Sequence, residues 1–219
     1  MKSSLRQWFQ SPKRRRVLAT SVAGLAVTLA LSAVGVFAYP YYTNLRAGTV
    51  QRRLADTFAT PQIKQAYSQR KLVDGSPLTR IEIPSIGTNT IVVEGTSIKA
   101  LNTGAGHYPG TPLPGEAGNV AIAGHRTMYG QPFHRLEQIR SGDKVTLTTP
   151  FGKYVYEVIP TWESKAVPFV TAPDDWTMAA QSSQSMLTLT TCNPIGKSTN
   201  RLVAKAKLIS SEKFESTKA

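Results

Sequence analysis

Residues 17–39, VLATSVAGLAVTLALSAVGVFAY, are 23 consecutive positions without a charge. At a helical rise of about 1.5 Å per residue such a run reaches roughly 34 Å, enough to cross a hydrocarbon core of about 30 Å. The 219 residues therefore cannot all belong to one globule. Lys2, Arg6, Lys13, Arg14, Arg15 and Arg16 precede the run, with no acidic residue among the first 16. Positive flanks stay cytoplasmic, so the expected topology is N-terminus inside and bulk outside. Pro40, Tyr41 and Tyr42 fall at the expected outer interface, where tyrosine is favoured. The competing reading is a cleaved signal peptide, for which Val36-Phe37-Ala38 is an acceptable cleavage pattern. The run is longer than the 7–15 residues usual for a signal peptide, which favours an uncleaved anchor. Both readings place the remainder outside the cytoplasm.

The net charge of +13 overstates the basicity of that remainder. Without the six basic residues of the tail, 20 basic stand against 13 acidic residues, or +7. Lys197, Arg201, Lys205 and Lys207 are dispersed, and no basic-aromatic platform accompanies them. A nucleic-acid function is excluded on that ground, and a solvated surface near an anionic envelope explains the charge.

Four zones follow: a cytoplasmic tail (1–16), a transmembrane anchor (17–39), an extracellular stalk (40–77) and a β domain (78–219). In the stalk, Thr49–Ala59 and Gln62–Leu72 are each expected to form helix, interrupted by Pro61. From Leu78 the chain becomes short strands punctuated by Gly and Pro. Expected strands are Thr79–Ile83, Thr90–Glu94, Asn119–Ala123, a hairpin of Lys144–Thr149 and Lys153–Ile159, and finally Ser185–Thr191 and Arg201–Ile209. A helical turn is expected at Ser97–Asn102, and helix over Pro132–Ile139 and near Asp174–Ala180. Thr103–Gly118, with five glycines and three prolines, is expected to be an ordered loop, and Pro160–Ser185 a long one. The pattern is that of one closed all-β domain of about 135 residues, large enough for its own core.

Cys192 is the only cysteine. Outside the cytoplasm a lone thiol is exposed to oxidation and can form no internal disulfide, so chemistry is its economical explanation. It closes the strand Met186–Thr191, which Asn193-Pro194 breaks, so the thiol is expected at the barrel's rim. His125 ends another apolar strand, and Arg201 opens the last one. A thiol near pKa 8.5 is only a few per cent ionised at neutral pH, and an adjacent imidazolium favours the thiolate. The imidazole then serves a departing amine as acid and an incoming nucleophile as base. The planar guanidinium of Arg201 suits a developing oxyanion. Each residue has a bland alternative: a buried cysteine filling the core, a turn-capping histidine, a surface arginine. His107 and His134 are given structural or surface roles.

Four separated segments resemble the sortases, membrane-anchored cysteine transpeptidases of Gram-positive bacteria. They are Arg80–Gly87 (RIEIPSIG), Gly104–Thr111 (GAGHYPGT), Gly118–Arg126 (GNVAIAGHR), and Thr188–Cys192 (TLTTC) followed by Arg201. The resemblance implies an all-β fold, a closed eight-stranded sortase-type β-barrel with short helices in its loops, preceded by the transmembrane helix and stalk. It implies Cys192 as nucleophile, His125 as acid/base and Arg201 as oxyanion or substrate stabiliser. The implied reaction cleaves an LPXTG-like sorting signal between Thr and Gly through a thioester, then transfers the surface protein to an amine of a lipid II-type peptidoglycan precursor. The run His125–Phe133 and the Cys192-Asn193-Pro194 junction are most similar to class E sortases of high-GC bacteria, which prefer LAXTG. Tyr129, Thr190 and Thr191 are the implied substrate contacts. Implied alternatives are a class D or pilin-polymerising sortase, and a plain endopeptidase whose thioester is resolved by water. From outside the family comes a non-catalytic envelope protein with an inert cysteine. An L,D-transpeptidase is excluded because its Ser-x-Gly-Cys context is missing. No cofactor is expected. Glu116, Glu163, Asp174 and Asp175 are too scattered for a calcium site of six or more oxygens, so no metal is expected either.

Overall fold

The computed structural model describes residues 12–161 and 165–214. It divides after Tyr42. The first unit is helical from Pro12 onward. Helix α1 (Pro12–Thr57) is 46 residues long and passes through Pro40. A proline removes one backbone donor, and here it does not end the helix. Its N-terminal part is apolar enough and long enough to span a bilayer. Basic residues Lys2 and Arg6 lie outside the described residues.

In the second unit, the last turns of α1 carry a stripe of shielded residues: Thr43, Asn44, Ala47, Val50, Gln51, Leu54 and Ala55. Their spacing follows the 3.6-residue helical period, so one face is covered while Leu45 and Arg46 stay exposed. Helix α2 (Pro61–Ser68) follows, with Pro61 in its first turn where a missing N–H costs nothing. The stretch expected to be stalk thus holds two helices, one of which packs on the barrel through Gln51. That side chain accepts from Ile91 N at 2.6 Å and donates to Thr103 O at 2.9 Å and Ile91 O at 3.2 Å.

The strands are β1 (Pro77–Ile83), β2 (Thr88–Glu94), β3 (Ala105–His107), β4 (Gly118–Ala123), β5 (Lys144–Thr149), β6 (Gly152–Ile159), β7 (Phe169–Thr171), β8 (Ser185–Asn193) and β9 (Asn200–Lys213). Their order is β6-β5-β1-β2-β3-β4-β8-β9-β7, and β6 also pairs with β9. That second pairing closes eight strands into a barrel, and β7 hangs on β9 outside the ring. The 14-residue β9 makes this possible: Arg201–Val203 pair with β7, and Lys205–Lys213 with β6.

Alternation places Ile81, Ile83, Val120, Ile122, Val145, Leu147, Tyr156, Val158, Leu187 and Leu189 in one core. Each such side chain contributes roughly 1.5–3 kcal/mol by leaving water. Strands β4 and β8 are buried on both faces. On their outer face Asn119 and Thr188 bond each other at 2.8 Å, and both bond the carbonyl of Met178. The segment around Met178 therefore roofs this part of the sheet.

The structure departs from the sequence expectations in the long loops. Ala105–His107 is a strand within the expected Gly/Pro loop, and β7 lies within the second one. Three-residue strands carry too little alternation to be seen in sequence, and form because a neighbouring edge offers backbone partners. Pro132–Ile139 and Asp174–Ala180 yield only short 3-10 turns, Leu136–Gln138 and Trp176–Ala179. The final strand runs to Lys213 rather than Ile209, because β6 supplies partners that far.

Candidate active site

Strands β4 and β8 run parallel, with Ala121 opposite Thr188 and Ala123 opposite Thr190. Gly124 N donates to Thr190 O at 3.0 Å, and the Thr191 hydroxyl donates to Gly124 O at 2.7 Å. Continued two residues beyond the Ala123–Thr190 pair, this register brings His125 level with Cys192. On the other flank β8 and β9 are antiparallel, and Cys192 is directly opposite Arg201. The three residues thus end three adjacent strands, with the thiol in the middle. Thr188, Thr190 and Cys192 share the outward face, since side chains alternate.

Gly124 is required between the strand and His125. A Cβ there would stand 2.7 Å from the Phe133 ring, which packs onto the backbone. Burial pushes the His125 imidazole below its ordinary 6.5, so the neutral form is favoured. Its buried Nε2 has no hydrogen-bond partner, and the thiol is not hydrogen-bonded to it among the described residues. Such contacts are often long without substrate and tighten on binding. Arg201 donates through Nη1 to Ser198 O (3.2 Å) and Asn200 O (3.1 Å).

Tyr129 stacks on His125 with ring centroids 5.1 Å apart and planes tilted by 37°. Thr190 is buried and its hydroxyl has no partner, two residues before the cysteine on the same face. Thr191 is also buried, and its hydroxyl is committed to Gly124. His107 is buried 13 residues from Glu94, which it meets at 2.8 Å, with Thr111 and Pro112 O on its other nitrogen. His134 is exposed, and its Nδ1 meets Arg126 O at 2.9 Å.

Two features escaped the sequence. Arg126, only 6% exposed, joins the histidine end to the cysteine end. Its Nη1 donates to Asn193 Oδ1 at 2.6 Å and toward Cys192 O at 3.4 Å, and its Nη2 to Glu137 at 2.7 Å. Burial opposes ionisation of Glu137, but its own backbone bond and the guanidinium outweigh burial and hold the carboxyl below the usual range. The second is Tyr108, whose phenol lies in the field of both Arg201 and Cys192, with burial raising its pKa most. Its ring meets Trp176 edge-on at 6.2 Å. Adjacency to His125 was the one sequence signal for Arg126, since its partners lie 11 and 67 residues away.

Of the scattered acids, Glu116 pairs with Arg70 and accepts from Leu113 N, and Asp175 accepts from Thr171 and Thr177. Glu163 lies outside the described residues. No group of three or more His, Cys, Asp or Glu suited to a metal occurs among the described residues.

The sortase-domain family model matches residues 81–209, more than half of the chain. Sortase D of Bacillus subtilis (strain 168) is 30% identical over 132 residues, which cover 59% of this chain and 62% of that protein. Sortase SrtE2 of Streptomyces coelicolor is 32% identical over 146 residues, 62% of this chain and 57% of that protein. The chain therefore spans about three fifths of the length of these curated relatives. The structure of sortase E from Streptomyces avermitilis superposes with a TM-score of 0.58 at 34% identity, covering 67% of this chain and 97% of that one. Barrel, strand ends and sequence agree: this chain belongs to the sortase family.

Proposed function

We propose that the protein is a membrane-anchored cysteine transpeptidase that acts on sorting signals of secreted proteins. The observation that carries this is the lateral row of His125, Cys192 and Arg201 at the ends of β4, β8 and β9. The thiolate of Cys192 attacks the threonine carbonyl carbon of an LAXTG- or LPXTG-like segment. Arg201 swings from its loop carbonyls to donate to the oxyanion, where a fixed donor contributes about 10²–10³ in rate. The C–N bond to glycine breaks as His125 gives its proton to the departing amine. The resulting thioester is attacked by an acceptor amine, whose proton His125 takes, and the thiolate is restored with a new amide formed.

Tyr129, Thr190 and Thr191 are assigned to substrate contact. The unpartnered Thr190 hydroxyl supports this most directly, because a buried orphan hydroxyl is stabilised by any substrate group that pairs with it. The acceptor is a lipid II-type peptidoglycan amine. Similarity to class E sortases at 32–34% identity supports LAXTG as the preferred signal. The apolar helix and its basic flank support a cell-membrane location with the N-terminus cytoplasmic and the catalytic domain extracellular.

The test is incubation of the full chain in detergent or nanodiscs with LAXTG and LPXTG peptides, with and without an amine acceptor, read by mass spectrometry. Amine-dependent cleavage between Thr and Gly, lost in Cys192→Ala, is expected. Absence of cleavage with an alkylation-resistant Cys192 overturns the proposal.

A further inference from the structure

The loop after His125 is held in a conformation that its own residues do not favour. Tyr129, Gly130 and Gln131 have φ values of +54°, +82° and +42°. Two of the three are not glycine, and each such residue costs of order 1–3 kcal/mol unless its surroundings impose the geometry. The surroundings that do so come from α1. Asn44 Oδ1 accepts from Gly130 N at 2.9 Å, and its Nδ2 donates to Thr127 O at 3.4 Å. Tyr129 N points to the Thr43 hydroxyl at 3.5 Å, the long limit for such a bond. Ala47 is the third contact: a Cβ on Gly130 would lie 3.0 Å from the Ala47 Cβ, so at this point helix and loop meet through small residues. Thr43, Asn44 and Ala47 share one helix face, and Gln51 pins the next turn to β2.

We propose that the segment Thr43–Gln51 is a clamp that sets the stack of Tyr129 on His125, with Asn44 as its positioning residue. The proposal rests on His125 being the acid/base of the reaction. An imidazole with no hydrogen bond to fix its ring depends on packing for its aim, and Tyr129 is the ring packed on it. The clamp holds the tyrosine through the backbone on both sides, so its effect reaches the histidine without any direct contact. Misplacement of a catalytic group by about 1 Å costs up to 10²-fold in rate, which makes a remote clamp worth having.

The test compares the full chain with Asn44→Ala, Asn44→Asp and His125→Ala, in nanodiscs. Steady-state turnover of an LAXTG peptide is measured with an amine acceptor, beside the histidine proton shifts at constant pH. In the parent protein the Tyr129 ring should shift the His125 ring protons upfield, and Tyr129→Leu defines the unstacked value. Asn44→Ala should lower kcat about tenfold with KM changed by less than about twofold, the split expected of a transition-state effect. Its His125 shifts should move toward the unstacked value. Asn44→Asp keeps the acceptor for Gly130 N and should recover most of both. An unchanged kcat, an effect confined to KM, or His125 shifts that stay in place each overturns the clamp. A dead His125→Ala beside an Asn44→Ala of parental kcat overturns the clamp alone. An active His125→Ala overturns the acid/base assignment, and the clamp with it.

Discussion

At the residue scale the site combines a half-buried imidazole, whose Nε2 has no partner, with a thiol on the adjoining strand. Burial lowers the His125 pKa, so its charged form is a minority at pH 7. In the proposed reaction acid enriches the imidazolium that protonates the leaving amine, and base enriches the thiolate that attacks. The profile of kcat/KM against pH is therefore a bell whose limbs belong to the pair. Titration of His125 by NMR should give a midpoint below 6.5 in the folded protein. The sign for stability follows. The unfolded chain takes up this proton more readily than the folded one, so stability is kept above pH 6.5 and lost as the pH falls through the lowered midpoint. Denaturant melts from pH 7.5 to 5 check this. Arg201→Lys should lose about 100-fold in kcat, because a point charge does not replace a planar fork aimed at an oxyanion. Arg126→Ala leaves Glu137 and Asn193 without their donor. Glu137 is 39% exposed, so solvent softens the loss to about 2 kcal/mol rather than the larger figure for a fully buried pair. Urea unfolding measures it.

At the element scale the site depends on two joints. The first is the hinge Ala123-Gly124-His125, where the glycine lets Phe133 sit on the backbone. The second is the contact of α1 with the Tyr129–Gln131 loop. Gly130→Ala combines a positive φ with a close approach to Ala47 and should cost about 1–2 kcal/mol, measured by thermal unfolding. Gln51→Ala removes three hydrogen bonds to β2 and Thr103, so amide exchange over residues 43–57 should quicken while the barrel core keeps its protection. Strand elements with strong alternation or apolar runs were legible: the β5–β6 hairpin, β4 and β8 all lie where the sequence places them. Elements made by pairing rather than pattern were not. Ala105–His107 forms a strand because β2 and β4 flank it, and Phe169–Thr171 because β9 extends beyond β6's reach and leaves Arg201–Val203 an open edge.

At the scale of the whole molecule, eight strands close through the single pairing of β6 with β9, so one core serves every strand. Leu189→Ala, within that core and three residues before Cys192, should cost about 2–5 kcal/mol and lower the melting temperature of the whole barrel in one transition. Differential scanning calorimetry tests it.

Sequence alone settled the elements whose causes are local. An uncharged run long enough for a bilayer, a strand stopped at Pro194, and each of the four sortase-like motifs depend on residues a few positions apart. Only the tertiary structure decided what lies beside what. The alignment of His125, Cys192 and Arg201 is a matter of register between strands up to 67 residues apart, and register is set by which faces the core buries. The Arg126 bridge to Glu137 and Asn193, and the seating of Thr43, Asn44 and Ala47 on the histidine loop, arise in the same way. They join side chains whose partners are brought near by packing, and a linear pattern carries no trace of such a meeting.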